Sequence, residues 1–233
     1  MDPVVLRYDT SAALATEVAA RLLSLVQQLQ DQERTPQVVL TGGTVAQALY
    51  AEIARLAHEY VIDWDAVEFW WGDERFVTPD SPDRNARQAH EAFLNALGAT
   101  KFHEMPSPNS ACSVDEGARA YEAQVRGSSA DRFDVVLLSI GPDGHIASLF
   151  PGSPEVEVTG RIAVGVTRSP KPPPERITLT LEALSRSDRV WILAADSGPG
   201  GAKENAFNRA MAADPEIPAT RVRGHLETTW FAS

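Results

Sequence analysis

One cysteine, Cys112, occurs in 233 residues. A lone cysteine excludes an intramolecular disulfide and a cysteine-based metal site, and it gives no basis for redox chemistry. Long apolar runs are missing as well. The longest, DVVLLSIG and RVWILAA, stop far short of the ~20 residues a bilayer crossing needs. The N-terminal MDPVVLRYDT has no basic segment leading into an apolar one. We therefore expect a cytoplasmic chain with no membrane partner. Positive charge is also scarce: 21 Lys and Arg face 32 Asp and Glu, for a net charge of −11. A nucleic-acid partner would need a basic face, so none is expected. A small anionic ligand stays open, provided a few cations converge locally, while most of the acidic surface serves solubility. Sequence repeats, low-complexity segments and dividing linkers are absent too, which makes residues 1–233 a single expected domain.

What is present is an alternation of apolar patterns. Leu14, Val18, Leu22, Leu25, Val26 and Leu29 recur at helical spacing, and QVVLTGG reads as a buried strand ending on glycines. Val45, Ala48, Leu49, Ile53 and Leu56 then form a helix face. AVEFWWGDER is a second strand ending in charge, DSPDRN a turn, and Ala86, Ala89, Phe93, Leu94 and Leu97 a third helical stripe. Thr100 to Ser113 reads as loop. A helix around Tyr121, the strand DVVLLSIG, a strand near RIAVGVT, the strand RITLT, a short LEAL turn and the strand RVWILAA follow. The glycine-rich break SGPGG, the helix AKENAFNRAM and a terminal strand HLETTWF complete the chain. Strands alternating with helices predict an α/β protein: one doubly wound, mostly parallel, Rossmann-like sheet with helices on both faces.

In such sheets ligands bind beyond the carboxyl ends of the strands, so the chemistry of those loops matters most. Thr41-Gly42-Gly43-Thr44 joins a strand to a helix. Its glycines allow close backbone approach and its amides suit a phosphate, although a tight connection alone would explain it. It is neither a Walker loop nor G-x-G-x-x-G, so nucleotide binding has no support. Arg75, in Asp73-Glu74-Arg75, has the planar fork that clamps phosphate or carboxylate, with an acid to orient it; a solvated charge cluster is the competing reading. Lys171, between Pro170 and Pro172-Pro173-Pro174, is a cation on a stiff segment, or else part of a proline-rich surface loop. His145, in the turn GPDGH, is a candidate general base. A helix starting just beyond it would favour the neutral ring. Asp143 either orients a ring nitrogen or only serves the Pro-Asp-Gly turn.

Taken together, VLTGGTVAQALY, WWGDERFVTPDSPDRNARQA, LLSIGPDGHIASLFPGSP and SPKPPPERITLTLEAL resemble the 6-phosphogluconolactonase family, within the group that includes glucosamine-6-phosphate isomerases. The isomerases continue their Gly-His motif into Ala-Phe-Asn-Glu-Pro and read Asp-Glu-Tyr earlier. Ala147-Ser148-Leu149-Phe150-Pro151 and Asp73-Glu74-Arg75 favour the lactonase instead. A non-catalytic sugar-phosphate sensor is a competing reading; such domains usually carry a DNA-binding module, and the residues before the first glycine loop hold only a short strand and one helix, on an acidic chain. The resemblance implies hydrolysis of 6-phospho-D-glucono-1,5-lactone to 6-phosphogluconate, with no metal or organic cofactor and a small phosphosugar lactone as the only partner. The chain would act as a monomer or weak homo-oligomer. It makes His145 the catalytic base, with Asp143 and Arg75 as candidate catalytic partners. Arg75 and Lys171 become the cations on the phosphate, and Gly42, Gly43 and Thr44 the glycine loop. Two departures stand out. Where the family often reads Gly-Gly-Ser-Thr-Pro, this chain has Gly42-Gly43-Thr44-Val45-Ala46. The family's common C-terminal Gly-Lys-Ala is replaced by SGPGGAKENA, so Lys203 is left out of the expected site.

Overall fold

A computed structural model describes residues 2–128, 132–195 and 201–233. Its strands in chain order are β1 (Val4–Arg7), β2 (Gln37–Leu40), β3 (Glu68–Trp71), β4 (Asp73–Arg75) and β5 (Lys101–His103), then β6 (Phe133–Ser139), β7 (Ala163–Val166), β8 (Arg176–Leu179), β9 (Ser187–Ala194) and β10 (Glu227–Ala232). Seven of them form one sheet in the order β1-β10-β9-β6-β2-β3-β5, and every pairing in it is parallel. The predicted doubly wound parallel sheet is present.

The two faces of the sheet explain the near-continuous apolar runs. Val38, Leu40, Phe69, Trp71, Val135, Leu137 and Leu193 point to one core, shared with helices Ser11–Asp31 and Thr44–Leu56 and the helical stripe that begins at Asn85. Val39, Trp70, Val136, Leu138, Val190 and Ile192 point to the other, with helices Val114–Gly127 and Ala202–Met211. Strands covered on both sides need no polar alternation. Trp70 and Trp71 lie on opposite faces and are both fully buried. Truncating either to alanine would cost about 3–5 kcal/mol, and this pair anchors the strand that delivers Asp73–Arg75.

Three sequence features resolve differently. The charged GDER segment does not end in a loop: Asp73–Arg75 becomes β4, in a small antiparallel sheet of order β4-β8-β7 beside the main one. The stretch from Thr100 contains the edge strand β5, whose His103 ring stacks on Trp70 with centroids 3.7 Å apart. The third helical stripe forms, with a π-helical turn at His90–Leu94 in its middle. Of the break SGPGG, residues 197–200 lie outside the described residues.

The strand order also locates the site. From β2 the chain moves outward through β3 to β5, whereas β6, β9 and β10 lie on the other side of β2. The reversal falls between β2 and β6, which pair through Val38 with Val135 and Val39 with Val136. Crevices at such reversals are where open α/β sheets bind ligands. The loops leaving β2 and β6 are TGGT and GPDGH.

Candidate active site

Beyond these two strand ends lies a cavity of about 260 Å³, walled by Thr41–Thr44, Asp73, Arg75, Asn85, Ser139–Pro142, His145, Ala147, Lys171, Pro172, Arg176 and Lys203. Gly42, Gly43, Thr44, Arg75, His145 and Lys171, all singled out from the sequence, share this one cavity. Asp143 stands behind it, against His145.

The glycine turn is required by its neighbours. A Cβ on Gly42 would fall 2.0 Å from Oδ1 of Asn85, so no side chain fits there. Gly43 has φ +96° and forms the N-cap of helix Thr44–Leu56 without any side-chain capping bond. Among the described residues no side chain caps this first turn, and Gly43 and Thr44 line the cavity at the positive end of the helix dipole.

Arg75 leaves β4 half-buried. Its Nη1 donates to the Asp83 carbonyl at 2.6 Å and to Asn85 Oδ1 at 2.8 Å, and Asn85 Nδ2 donates to the Asp73 carbonyl at 2.9 Å. Thus a carbonyl and an amide orient Arg75, where an acid had been expected. The neighbouring acids are not solvated either: Asp73 is 5% exposed and Glu74 1%. Glu74 accepts the amides of Arg75, Asn85 and Ala86 at 2.7–2.8 Å, tying β4 to the start of the next helix. Burial pushes its carboxyl up to about 7, against the opposing charge of Arg84 and these amide bonds.

The histidine turn is closed by Gly141 N–H donating to the His145 carbonyl at 2.8 Å and Gly144 N–H to the Gly141 carbonyl at 3.0 Å. A Cβ on Gly141 would meet the His145 ring at 2.0 Å, so glycine there lets the imidazole lie back over its own turn. Asp143 takes both parts left open by the sequence. Its Oδ1 accepts from the His145 backbone amide at 3.4 Å and also bonds Nδ1 of the ring. A carboxylate on Nδ1 holds the proton there and leaves the Nε2 lone pair for chemistry. Burial acts to raise Asp143, but the hydrogen bond from His145 and the charges of His145 and Lys171 outweigh it, and the carboxyl drops to about 2. Lys171 Nζ lies 3.4 Å from Nδ1 and 3.9 Å from Asp143 Oδ1. Burial lowers its pKa from the ordinary value, with Asp143 opposing.

No helix starts directly after His145. Residues Ile146 and Leu149 pair as an isolated bridge around Ala147 at φ +50°, a tight turn incompatible with helix initiation. In place of a helix N-terminus, the ring has the Phe150 ring 4.6 Å away.

Five further residues in or beside the cavity were not recognised as site residues from sequence. Lys203, set aside because the glycine-rich break blurs its spacing, lines the wall. Asn85 lay in what reads as a turn, and Ser148 stood out only as a family discriminator. Ser148 is fully buried, and its Oγ donates to Asp73 Oδ2 at 2.6 Å. Arg176 is buried beside Asp73. Ser139, the last residue of β6, has a buried Oγ with no hydrogen-bond partner among the described residues. Among the described residues no three His, Cys, Asp or Glu gather to hold a metal ion, and no helix is long and apolar enough to cross a membrane.

Comparison with known proteins agrees with this arrangement. A family profile described as "Glucosamine-6-phosphate isomerases/6-phosphogluconolactonase" matches residues 9–230. The 6-phosphogluconolactonase of Streptomyces coelicolor is 38% identical, over 98% of this chain and 91% of its own. That of Mycobacterium tuberculosis is 42% identical, over 83% and 81%. Among solved structures, 6-phosphogluconolactonase from Thermotoga maritima superimposes with a TM-score of 0.86 at 27% identity, covering 99% of both chains. Profile, sequence identity and fold thus agree, and the chain belongs to the glucosamine-6-phosphate isomerase/6-phosphogluconolactonase family.

Proposed function

We propose that this chain hydrolyses 6-phospho-D-glucono-1,5-lactone to 6-phospho-D-gluconate, the second step of the oxidative pentose phosphate pathway. The observation that carries the reading is the imidazole of His145, bonded through Nδ1 to Asp143, at the wall of a cavity that also receives Arg75, Lys171, Lys203 and an uncapped helix N-terminus. His145 Nε2 takes a proton from water as the water oxygen attacks the lactone carbonyl. The tetrahedral intermediate then collapses, the bond from C1 to the ring oxygen breaks, and that oxygen receives the proton back from the imidazolium. Asp143 keeps the ring in the tautomer this requires and stabilises the imidazolium between the two steps. The phosphate is held by the amides of Gly42, Gly43 and Thr44 with Arg75 and Lys171, and Lys203 adds a third cation. Binding energy from the phosphate fixes the carbonyl against the attacking water. The enzyme acts in the cytoplasm on a diffusible phosphosugar, as a monomer or weak homo-oligomer.

The test is acid release from freshly generated lactone by wild type and His145→Ala, each set against spontaneous opening. A positioned base contributes about 10²- to 10⁴-fold, and the variant should lose that factor while still binding 6-phosphogluconate. Unchanged turnover in the variant would overturn the mechanism. Ammonia release from glucosamine 6-phosphate without acceleration of lactone opening would overturn the assignment itself.

A further inference from the structure

Arg176 opens β8 and faces Arg75 across the β4–β8 pair. Two like charges directly opposite each other disfavour a sheet pair, so each must be held by other partners, and Arg176 is the more completely held. It is 4% exposed. Its Nε donates to the Pro173 carbonyl at 3.1 Å, and Nη2 donates to the carbonyls of Lys171 and Pro172, both at 3.1 Å. Nη1 donates to Ser148 Oγ at 3.4 Å and lies 3.9 Å from Asp73 Oδ2. Three successive carbonyls of the lysine loop thus converge on one guanidinium.

The composition of that loop explains why. Pro170, Pro172, Pro173 and Pro174 have no amide hydrogen to donate. The amides of Ser169 and Lys171 bond within the loop itself, to the Pro174 carbonyl at 3.0 Å and to Ser169 Oγ at 3.2 Å. Fixing such a loop to the frame has to work through its carbonyls, and a planar guanidinium with five donors suits the task. Arg176 is itself fixed from the other side. Ser148 Oγ accepts from it and donates to Asp73 at 2.6 Å, and the Ser148 amide donates to Thr178 Oγ1 at 3.3 Å. Ser148 lies three residues past His145, and Asp73 two residues past β3. One buried joint therefore ties together strand β4 with its Arg75, the histidine loop and the lysine loop.

We propose that Arg176 is a positioning residue: oriented by Asp73 through Ser148, it grips the carbonyls of the Lys171 loop and sets the Lys171 ammonium against His145 and the substrate phosphate. The proposal rests on the reading of Lys171 as a phosphate-binding cation. Arg176 also borders the cavity, and direct contact with the phosphate is the competing arrangement.

A double-mutant cycle separates the two. Arg176→Lys keeps a charge beside Asp73 but loses the fork, and Lys171→Ala removes the ammonium. Arg176→Lys should raise KM for the phospholactone about tenfold with kcat changed less than about threefold, a larger change in KM than for unphosphorylated glucono-1,5-lactone. In the Lys171→Ala background the same substitution should add nothing to KM, because it acts through the lysine. KM effects that multiply would overturn the proposal in favour of direct contact. A Lys171→Ala variant with unchanged KM would remove the reading it rests on, and is seen in the single mutant. Should Arg176→Lys fail to show a native circular dichroism spectrum, Ser148→Ala takes its place in the cycle. Its KM effect, about threefold, should likewise vanish beside Lys171→Ala, and persistence of that effect would overturn the proposal.

Discussion

The Lys171 ammonium lies 3.4 Å from Nδ1 of His145, the ring nitrogen that also bonds Asp143. The proposed phosphate anchor and the proposed base therefore share one end of the cavity. The substrate has matching geometry, since C5 carries both the ring oxygen of the scissile ester and the carbon bearing the phosphate. Holding the phosphate beside the imidazole also holds the lactone carbonyl within its reach.

Asp143→Asn tests the ring's orientation. The amide keeps the shape of the turn but no longer carries the charge that stabilises the imidazolium. We expect kcat to fall, by no more than the ~10²- to 10⁴-fold a positioned base supplies, with KM nearly unchanged. Because the wild-type carboxyl titrates at about 2, it stays ionised down to the acid limit of ordinary assays. The carboxylate's own titration should accordingly add no pH dependence to the variant's loss between about pH 4 and 8.

Gly141→Ala addresses the same ring from the backbone side. The added Cβ would sit 2.0 Å from Cε1 and 2.1 Å from Nδ1 of His145, closer than any real contact, so the imidazole must swing away from Asp143. Turnover should fall nearly as far as in His145→Ala. Affinity for 6-phosphogluconate, read by calorimetry, should be kept, because the phosphate groups lie on other loops. Equal loss of both would show that the turn, rather than the ring, had been disturbed.

Legibility from sequence followed the range of the interactions. β2, β6 and β9 show as apolar runs because both of their faces are covered, and the sheet class follows from their alternation with helices. β4 and β5 have three residues each, too few to carry a period, and they exist through pairing with distant β8 and β3. The same holds in the site. Gly42, Gly43, Thr44, Arg75, His145 and Lys171 stand in motifs whose local composition is unusual. Ser148 and Arg176 do not, because the first takes its meaning from Asp73, 75 residues away, and the second from the carbonyls of a proline loop. The left-handed turn at Ala147, which keeps a helix from following His145 directly, leaves no mark in the apolar pattern.

Glu74 gives a pH test of stability. Its carboxyl is raised from 4.5 to about 7 in the fold, so the folded state favours the protonated form. The favourable contribution is fully present below about pH 4.5 and is lost as pH rises through about 7, on the order of 3 kcal/mol across that window. Glu74→Gln carries no proton to lose. Denaturant titrations at pH 5 and pH 8 should show wild type losing stability relative to the variant at the higher pH. Parallel behaviour of the two proteins would place the pH dependence elsewhere.

Lys203 tests the part of the site that its sequence context concealed. It stands at the second position of helix Ala202–Met211 and borders the cavity that Lys171 and Arg75 also line. A cation there adds to the positive charge that Lys171 and Arg75 bring to the same cavity. Charge-assisted hydrogen bonds contribute about 1.5–3 kcal/mol each. Lys203→Met should therefore raise KM for the phospholactone by about ten- to hundredfold, and it should leave the unphosphorylated lactone unaffected. Because one phosphate-facing charge is gone, the variant's KM should also respond less steeply to added salt than the wild-type KM. A KM that rises equally for both lactones would move Lys203 off the phosphate and make its place in the wall structural.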